Sequence, residues 1–307
     1  MIRLIIKKFI KNSENVNDKD VREAYGVLSG VLGIMCNMLL FTIKLVVGFV
    51  MNSIAVISDA FNNLSDLGTS IIAIFGAKLS NRPPDEEHPH GHGRYEYIAT
   101  LVVSFIIFAV GLKLLGSSFD KILRPQKVMF SAVSIIILLI SVLLKVWMFS
   151  YNRYIGKLIN SSVNRAAASD SINDVYATVG IILGTLIGRF ADFPVDGLMG
   201  LIISGLIILT GFNTAKDSVD LLLGAVPDPE IIKRINELVL SGKNIKGTHD
   251  LKVHDYGPGR ITASIHAEVS EDANIVEIHT EIDNIELKVK EELGIDMVIH
   301  MDPVKQG

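Results

Sequence analysis

Long apolar runs separated by short polar joins fill the first two thirds of the chain. A helix needs about 20 mostly apolar residues to cross a bilayer. Six segments meet that length, the second and fifth only if several polar residues are tolerated: 26–50, 54–79, 95–118, 129–150, 164–187 and 195–215. The pattern predicts six membrane-spanning helices, and an even number of spans places both termini on the same side of the membrane.

The pattern changes after Pro227, where amphipathic and alternating stretches replace the long apolar runs. Helical spacing is found at 229–241 and 273–292, and strands are predicted at 248–255, 260–269 and 295–301, the first two joined by a turn at 257–259. The order αββαβ suits a small open sheet with helices on one face. The predicted domains are therefore an N-terminal segment (1–25), a six-helix domain (26–222) and a water-soluble domain (226–307).

Composition and charge agree with this division. Hydrophobic residues make up 49% of the chain and charged residues 20%, which argues against a soluble enzyme, a disordered chain and a fibrous protein. Residues 226–307 carry 16 acidic and 9 basic side chains, whereas the other 225 residues carry 17 and 20. The net charge of −4 argues against a nucleic-acid partner.

Basic residues cluster before the first span, which favours a cytoplasmic N-terminus. Within that segment, residues 2–11 mix isoleucine, leucine and phenylalanine with arginine and lysine. They fit either a short amphipathic helix on the membrane surface or a disordered tail.

Ionisable side chains inside the second and fifth spans are the strongest chemical signal. Asn62 and Asp66 lie four residues apart, as do Asp170 and Asp174, so each pair shares one helix face. Two such faces turned toward each other would form a cation site made of oxygen ligands. The alternative is hydrogen bonding between helices, and Asp59, one turn from Asn62, fits either an entry ligand or such a bond.

Histidines occur only outside the spans, in two groups. Asp85, His88 and His92 fall in the loop between spans two and three and could form a three-ligand site of the kind zinc occupies, or simply a polar loop. His249, His266 and His300 lie on three predicted strands, where imidazoles could bind borderline metals. His254 is interpreted as an ordinary surface histidine.

The chain has no phosphate-binding G-x-x-x-x-G-K-[ST] loop and no H-E-x-x-H helix, so neither ATP-driven transport by that route nor zincin proteolysis is indicated. A buried cluster of carboxylates takes up protons when it is empty and releases them when a metal binds. The sequence therefore favours a proton-coupled metal antiporter that is not an enzyme.

Six motifs, in this order, resemble those of the cation diffusion facilitator family: DAFNNLSD (59–66), HPHGHG (88–93), DSIND (170–174), VPD (226–228), GTHDL (247–251) and IHMDP (299–303). The resemblance covers nearly the whole chain. It implies a homodimer in a bacterial plasma membrane, with six helices per protomer, both termini cytoplasmic, and a metallochaperone-like αββαβ domain. The implied activity is export of divalent transition metals in exchange for protons.

The resemblance also implies a role for each group of residues. Asn62, Asp66, Asp170 and Asp174 would form the transport site, and Asp85, His88 and His92 a loop site. Regulatory metal would bind in the cytoplasmic domain to the following residues: His249, His266, His279, His300 and Asp302. Zinc-transporting members usually carry histidine where this chain has Asp170, so the manganese-transporting branch fits better.

The substrate expected from this sequence is Mn²⁺, with Zn²⁺ or Fe²⁺ export as the alternative within the family. Two other classes stay open at this point: a metal-gated cation channel without proton coupling, and an intramembrane aspartyl hydrolase using Asp66 with Asp174. The hydrolase would leave Asn62, Asp170 and the flanking histidines without a role.

Overall fold

The computed structural model describes residues 2–10, 13, 19–80, 83–159, 161–188, 193–225, 228–257, 260–272 and 274–304. Its helices are α1 (Ile2–Phe9), α2 (Lys19–Met51), α3 (Ile54–Ser80), α4 (Tyr95–Leu123), α5 (Ala132–Leu158), α6 (Ser162–Gly188), α7 (Val195–Leu223), α8 (Pro229–Leu240) and α9 (Ile275–Leu293). Its strands are β1 (Ile245–Asp255), β2 (Ile261–Ser270) and β3 (Ile295–Val304). Residues 226–227 of the VPD motif, 258–259 of the expected turn, residue 11 and residue 273 lie outside this description.

Each of the six predicted spans corresponds to one long helix, α2 to α7. Among the described residues, five of these helices are long and apolar enough to cross a membrane: α2 from Val21, α4, α5, α6 from Val163, and α7. The helix α3 is of similar length but carries Asp59, Asn62, Asn63 and Asp66. Its passage through the membrane, and therefore the count of six, stays a prediction.

The chain divides into two compact units, Met1–Ile71 with Val103–Asn213 and Ile72–Val102 with Thr214–Gly307. The first unit has an apolar core that includes Met51, Leu138, Ile181 and Ile207. Large apolar side chains on the same helices point outward, for example Phe49 and Leu143, which are about two thirds exposed. Apolar side chains on the outside of a helical bundle are expected where lipid replaces water.

Residues 2–9 form the helix α1, so the disordered alternative is wrong for these residues. In α1 the side chains of Ile6 and Ile10, just beyond its end, are buried against Tyr25 of α2 and Tyr151 of α5. Lys7 and Lys8 on the other face are exposed. The buried isoleucines of α1 therefore pack on protein, and its position on the membrane surface stays a prediction.

The second unit contains a three-stranded sheet in the order β1-β2-β3. β1 and β2 are antiparallel, β2 and β3 are parallel, and α8 and α9 supply the apolar side chains that cover one face. Alternate residues of β2, such as Ile265 and Ala267, are fully buried in that core. Because strand side chains alternate between faces, His266 points to the opposite face. The predicted αββαβ order is confirmed.

Candidate metal sites

Three of the four residues predicted to form the intramembrane site are linked by polar contacts. The amide Nδ2 of Asn62 on α3 donates a 2.7 Å hydrogen bond to Oδ1 of Asp174 on α6. Asp66 lies one turn from Asn62. Both Asp66 and Asp174 contact the ammonium of one lysine, Lys145 on α5, so the i, i+4 faces of α3 and α6 meet as the spacing predicts. Asp170, the fourth residue, faces the adjoining cavity.

The group shared by the two carboxylates is the ammonium of Lys145 on α5, which the sequence reasoning overlooked. Its Nζ lies 3.3 Å from Oδ2 of Asp66, in direct contact with Oδ2 of Asp174, and 2.9 Å from Oδ1 of Asn37 on α2. The site is therefore not made of oxygen alone. Lys145 interrupts the apolar run 129–150, so the rule that singled out the aspartates would also have found it.

A cavity of about 910 Å³ leads to this group of side chains. It lies at the end of the bundle where α2 begins, α5 ends and α6 begins, and Arg22 and Asn164 are among the residues that line it. Asp66, Asp170 and Lys145 face the cavity, whereas Asn62 and Asp174 are not among its described lining residues. The described lining contains no histidine or cysteine. An ion entering here would meet hard oxygen ligands and one ammonium.

A second buried ion pair lies between α2 and α3. Nζ of Lys44 is 2.7 Å from Oδ2 of Asp59, and Thr178 on α6 bridges them, accepting from Lys44 and donating to Asp59. Both charged side chains are essentially inaccessible to solvent. Of the two alternatives for Asp59, the structure favours the hydrogen-bonded one, because its charge is already matched by Lys44.

The loop residues Asp85, His88 and His92 come together in the second unit. Oδ1 of Asp85 lies 3.2 Å from Nδ1 of His88, and Oδ2 lies 3.2 Å from Nε2 of His92. The main-chain amide of His88 donates a 2.7 Å hydrogen bond to Asp85, and it is the chief cause that holds the pKa of this carboxyl below its usual range. Asp85 is therefore a carboxylate and is available as a ligand at neutral pH.

His92 is oriented by its surroundings for a role as a ligand. Its Nδ1 lies 3.2 Å from the carbonyl oxygen of Pro83, which in the neutral ring requires Nδ1 to carry the proton. Nε2 lies on the other side of the ring, beside Asp85, so a metal ion between them could bind Nε2 while the carbonyl of Pro83 fixes the ring, as is typical of metal-ligating histidines. Gly93 follows, and a Cβ there would lie 2.3 Å from the carbonyl oxygen of Tyr256, so only glycine fits this close approach.

The histidines of the sheet form a single row. His249 of β1 pairs with His266 of β2, which pairs with His300 of β3, so all three project from the face opposite the helices. Asp302 lies beside this row: its Oδ2 is 2.8 Å from Nδ1 of His266 and 3.1 Å from Nε2 of His249, and its Oδ1 is 3.4 Å from Nε2 of His300. His249, His266 and Asp302 each offer a ligand atom within 4.8 Å of the others, so these three side chains can converge on one ion, and His300 lies beside them.

The pKa values of two carboxyl groups determine the charge beside the row of histidines. The hydrogen bond from His266 is the largest cause that lowers the pKa of Asp302. Nearby, Lys252 lowers the pKa of Asp250 by a hydrogen bond and by its charge, and Oδ2 of Asp250 lies 3.9 Å from Nε2 of His266. Both carboxyl groups are therefore ionised at neutral pH, which favours a cation.

Two histidines lie apart from the row. His279, predicted as a regulatory ligand, is exposed on α9 and is paired 3.2 Å from Asp283, on the helical side of the sheet. The structure does not bring it together with His249 or His266, and its role as a ligand stays a prediction. His254 is exposed, as expected for a surface histidine.

Comparison with known proteins assigns the chain to a family. The family model described as the cation efflux transmembrane domain matches residues 30–223, and that described as the cation efflux protein cytoplasmic domain matches residues 227–304. The chain belongs to the cation diffusion facilitator family. Its members are transporters, and the protein is an integral membrane protein that exports cations.

Three relatives cover most of the chain. An uncharacterised transporter of Methanocaldococcus jannaschii is 32% identical over 263 residues, 86% of this chain and 91% of the relative. The manganese efflux system protein MneS of Bacillus subtilis is 30% identical over 284 residues, 92% of this chain and 97% of its own. The cation-efflux pump FieF of Escherichia fergusonii is 27% identical over 267 residues, 86% of this chain and 88% of its own.

Proposed function

We propose that this transporter exports divalent transition metal from the cytoplasm in exchange for protons, with Mn²⁺ as its preferred substrate. The observation that carries the proposal is the intramembrane group of Asn62, Asp66 and Asp174 beside a cavity lined also by Asp170. Mn²⁺ lies lowest in the divalent affinity series, so a protein can favour it only through geometry and hard oxygen ligands. Carboxylate and amide oxygens are such ligands.

The names of the relatives support Mn²⁺ as the substrate but do not decide between Mn²⁺ and other divalent metals. MneS is named as a manganese efflux protein, whereas FieF is named only as a cation-efflux pump. Export of Zn²⁺ or Fe²⁺ is therefore the second candidate within the family. The absence of histidine from the described cavity lining favours Mn²⁺ over Zn²⁺, because zinc binds imidazole well.

The direction of transport follows from the position of the cavity. It lies at the end of the bundle where α2 begins, next to the basic N-terminal segment. With that segment on the cytoplasmic side of a bacterial plasma membrane, the cavity admits metal from the cytoplasm. In this orientation both termini, and residues 226–307 with them, are cytoplasmic.

We assign a regulatory role to the peripheral sites. The loop site (Asp85, His88 and His92) and the sheet site (His249, His266, His300 and Asp302) combine imidazole with carboxylate and lie outside the spans. Metal bound to the cytoplasmic domains of a homodimer would favour one arrangement of the two protomers. Such a shift requires a different affinity in each arrangement.

The proposal is tested by metal-resolved transport in proteoliposomes. Mn²⁺, Zn²⁺, Fe²⁺ and Cd²⁺ are compared at equal free concentration and a fixed pH gradient, with metal and proton movement recorded together. We expect saturable flux, highest for Mn²⁺, with protons moving in the opposite direction. Metal flux without proton movement would indicate a channel, and highest flux for Zn²⁺ or Fe²⁺ would assign a different substrate.

The site itself is tested by Asp66→Asn, which keeps the shape of the side chain and removes its charge. We expect flux to fall to background while the protein stays folded, because Lys145 keeps its contact with Asp174. Asp120→Asn makes the same chemical change at an exposed position of α4 and should transport normally. Near-normal Mn²⁺ flux in Asp66→Asn would refute the assigned site.

A further inference from the structure

Lys145 occupies the position that a transported ion would need. Its side chain is 2% exposed, and its Nζ contacts oxygens from three helices: Asn37 of α2, Asp66 of α3 and Asp174 of α6. Two of these oxygens belong to proposed metal ligands. A divalent ion bound to them would lie about 2 Å from each oxygen, which leaves no room for an ammonium on the same atoms.

We propose that Lys145 is a tethered counter-cation that fills the metal-free transport site and that an entering divalent ion must displace. This inference rests on the proposed function. In an empty carrier the carboxylates of Asp66 and Asp174 are two like charges close together within the bundle, which is costly. The lysine matches part of that charge while the site is empty, and it weakens metal binding because each ion must compete with it.

The ammonium of Lys145 can stay bonded to Asn37 when an ion displaces it from the carboxylates. The hydrogen bond from Lys145 to Oδ1 of Asn37, 2.9 Å long, does not involve either metal ligand and can persist when the ion arrives. Lys145 also lines the cavity, whereas Asp174 is not among the described lining residues. An ion entering through the cavity therefore meets the ammonium on its way to Asp174.

The pair of Lys44 with Asp59 provides the matched comparison. It too joins a lysine to an aspartate of a neighbouring helix, at 2.7 Å, and it is at least as deeply buried. Neither residue lines the described part of the cavity, and Asp59 is not a proposed ligand. A lysine with a purely structural role should behave like Lys44, and a competing counter-cation should not.

The test measures Mn²⁺ dissociation constants of the full-length protein by calorimetry, together with KM and kcat in proteoliposomes. In Lys145→Met we expect the dissociation constant to fall by about tenfold or more, because a cation has been removed from the site. KM and kcat should both fall, since tighter binding slows release. Lys145→Arg, which keeps the charge, should stay near wild type in affinity.

Lys44→Met is the control and should lower the melting temperature while leaving the dissociation constant within about twofold of wild type. Asn37→Leu is a second variant, in which we expect the Mn²⁺ dissociation constant to change in the opposite direction. It tests the proposal also if Lys145→Met does not fold. Without the Asn37 oxygen the displaced ammonium loses the described acceptor that is not a proposed metal ligand, so Mn²⁺ should bind more weakly.

Unchanged or weaker Mn²⁺ binding in folded Lys145→Met would overturn the displacement, as would unchanged binding in Asn37→Leu. These failures are distinct from failure of the proposed function. If Asp66→Asn abolishes flux while Lys145→Met binds Mn²⁺ as wild type does, the transport site stands and Lys145 is a structural partner only. If Asp66→Asn transports normally, the site itself is wrong.

Discussion

Asp170 is the most accessible of the four residues proposed to bind the transported ion. It is exposed and lines the cavity, whereas Asp174, on the same face one turn further along α6, is buried. A side chain at the mouth of the site can be exchanged without disturbing the contacts among Asn62, Asp174 and Lys145. Asp170 is therefore the position at which ligand chemistry can be changed most cleanly.

We predict that Asp170→His shifts the transporter from Mn²⁺ toward Zn²⁺. Imidazole suits zinc and forms bonds of about 2.0–2.1 Å in tetrahedral sites. The change also removes one of the hard oxygen ligands on which selection of Mn²⁺ depends. The measurement is the ratio of Mn²⁺ to Zn²⁺ flux in wild type and variant, with Asp170→Asn as the control that removes the charge without adding imidazole. An unchanged ratio would place selectivity elsewhere, in the helix packing that sets the size of the site.

The residue scale also shows what the sequence could and could not predict. The i, i+4 spacing was enough to pair Asn62 with Asp66 and Asp170 with Asp174, because a helix fixes which side chains share a face. It could not reveal that Asp59 meets Lys44 while Asp66 and Asp174 meet Lys145. Those partners lie on other helices, and their choice depends on how the helices pack.

At the scale of the element, strand register decides whether the cytoplasmic histidines form a site. The pairing of β1 with β2 shifts between His249 and Lys252, and Asp250 in this irregularity has a positive φ of 52°. Alternation along each strand could be predicted, but this bulge could not. His249 lies opposite His266 just before the shift, and a slip of one residue would turn it to the other face.

We predict that Asp302→Asn weakens metal binding at the sheet site by about tenfold or more. Asp302 contacts His249, His266 and His300, so its loss removes both a ligand charge and the group that orients the rings. Zinc titration of full-length protein carrying Asp66→Asn, with a competing chelator, isolates the peripheral sites. Asp283→Asn, beside His279 on α9, is the matched control and should leave the titration unchanged. Equal affinities in the two variants would contradict the site.

At the scale of the whole molecule, the acidic C-terminal region and the apolar helices have different chemistry. Residues 226–307 carry 16 acidic and 9 basic side chains, and the proposed metal ligands there are mainly imidazoles. The proposed transport ligands on α3 and α6 offer oxygen atoms. Selection of the transported ion and regulation by bound metal are therefore assigned to separate parts of the chain.

We predict that removal of residues 226–307 lowers transport or dimer stability but leaves the order of metal preference unchanged. The reason is that the four proposed transport ligands all lie on α3 and α6. Metal-resolved flux of the truncated protein, with its oligomeric state measured in detergent, provides the check. A change of preference from Mn²⁺ to Zn²⁺ on truncation would contradict this division.

The two buried lysines also have a consequence for how the chain enters the membrane during synthesis. A single lysine or aspartate at the centre of a helix costs about 2.5–3.5 kcal/mol during insertion by the translocon. Lys44 of α2 pairs with Asp59 of α3, and Lys145 of α5 pairs with Asp174 of α6, so each charge finds a partner on the next helix to be synthesised. The turn between α2 and α3 is only two residues long. With α3 crossing the membrane as predicted, insertion of these helices as paired hairpins would avoid the cost of leaving either charge alone in lipid.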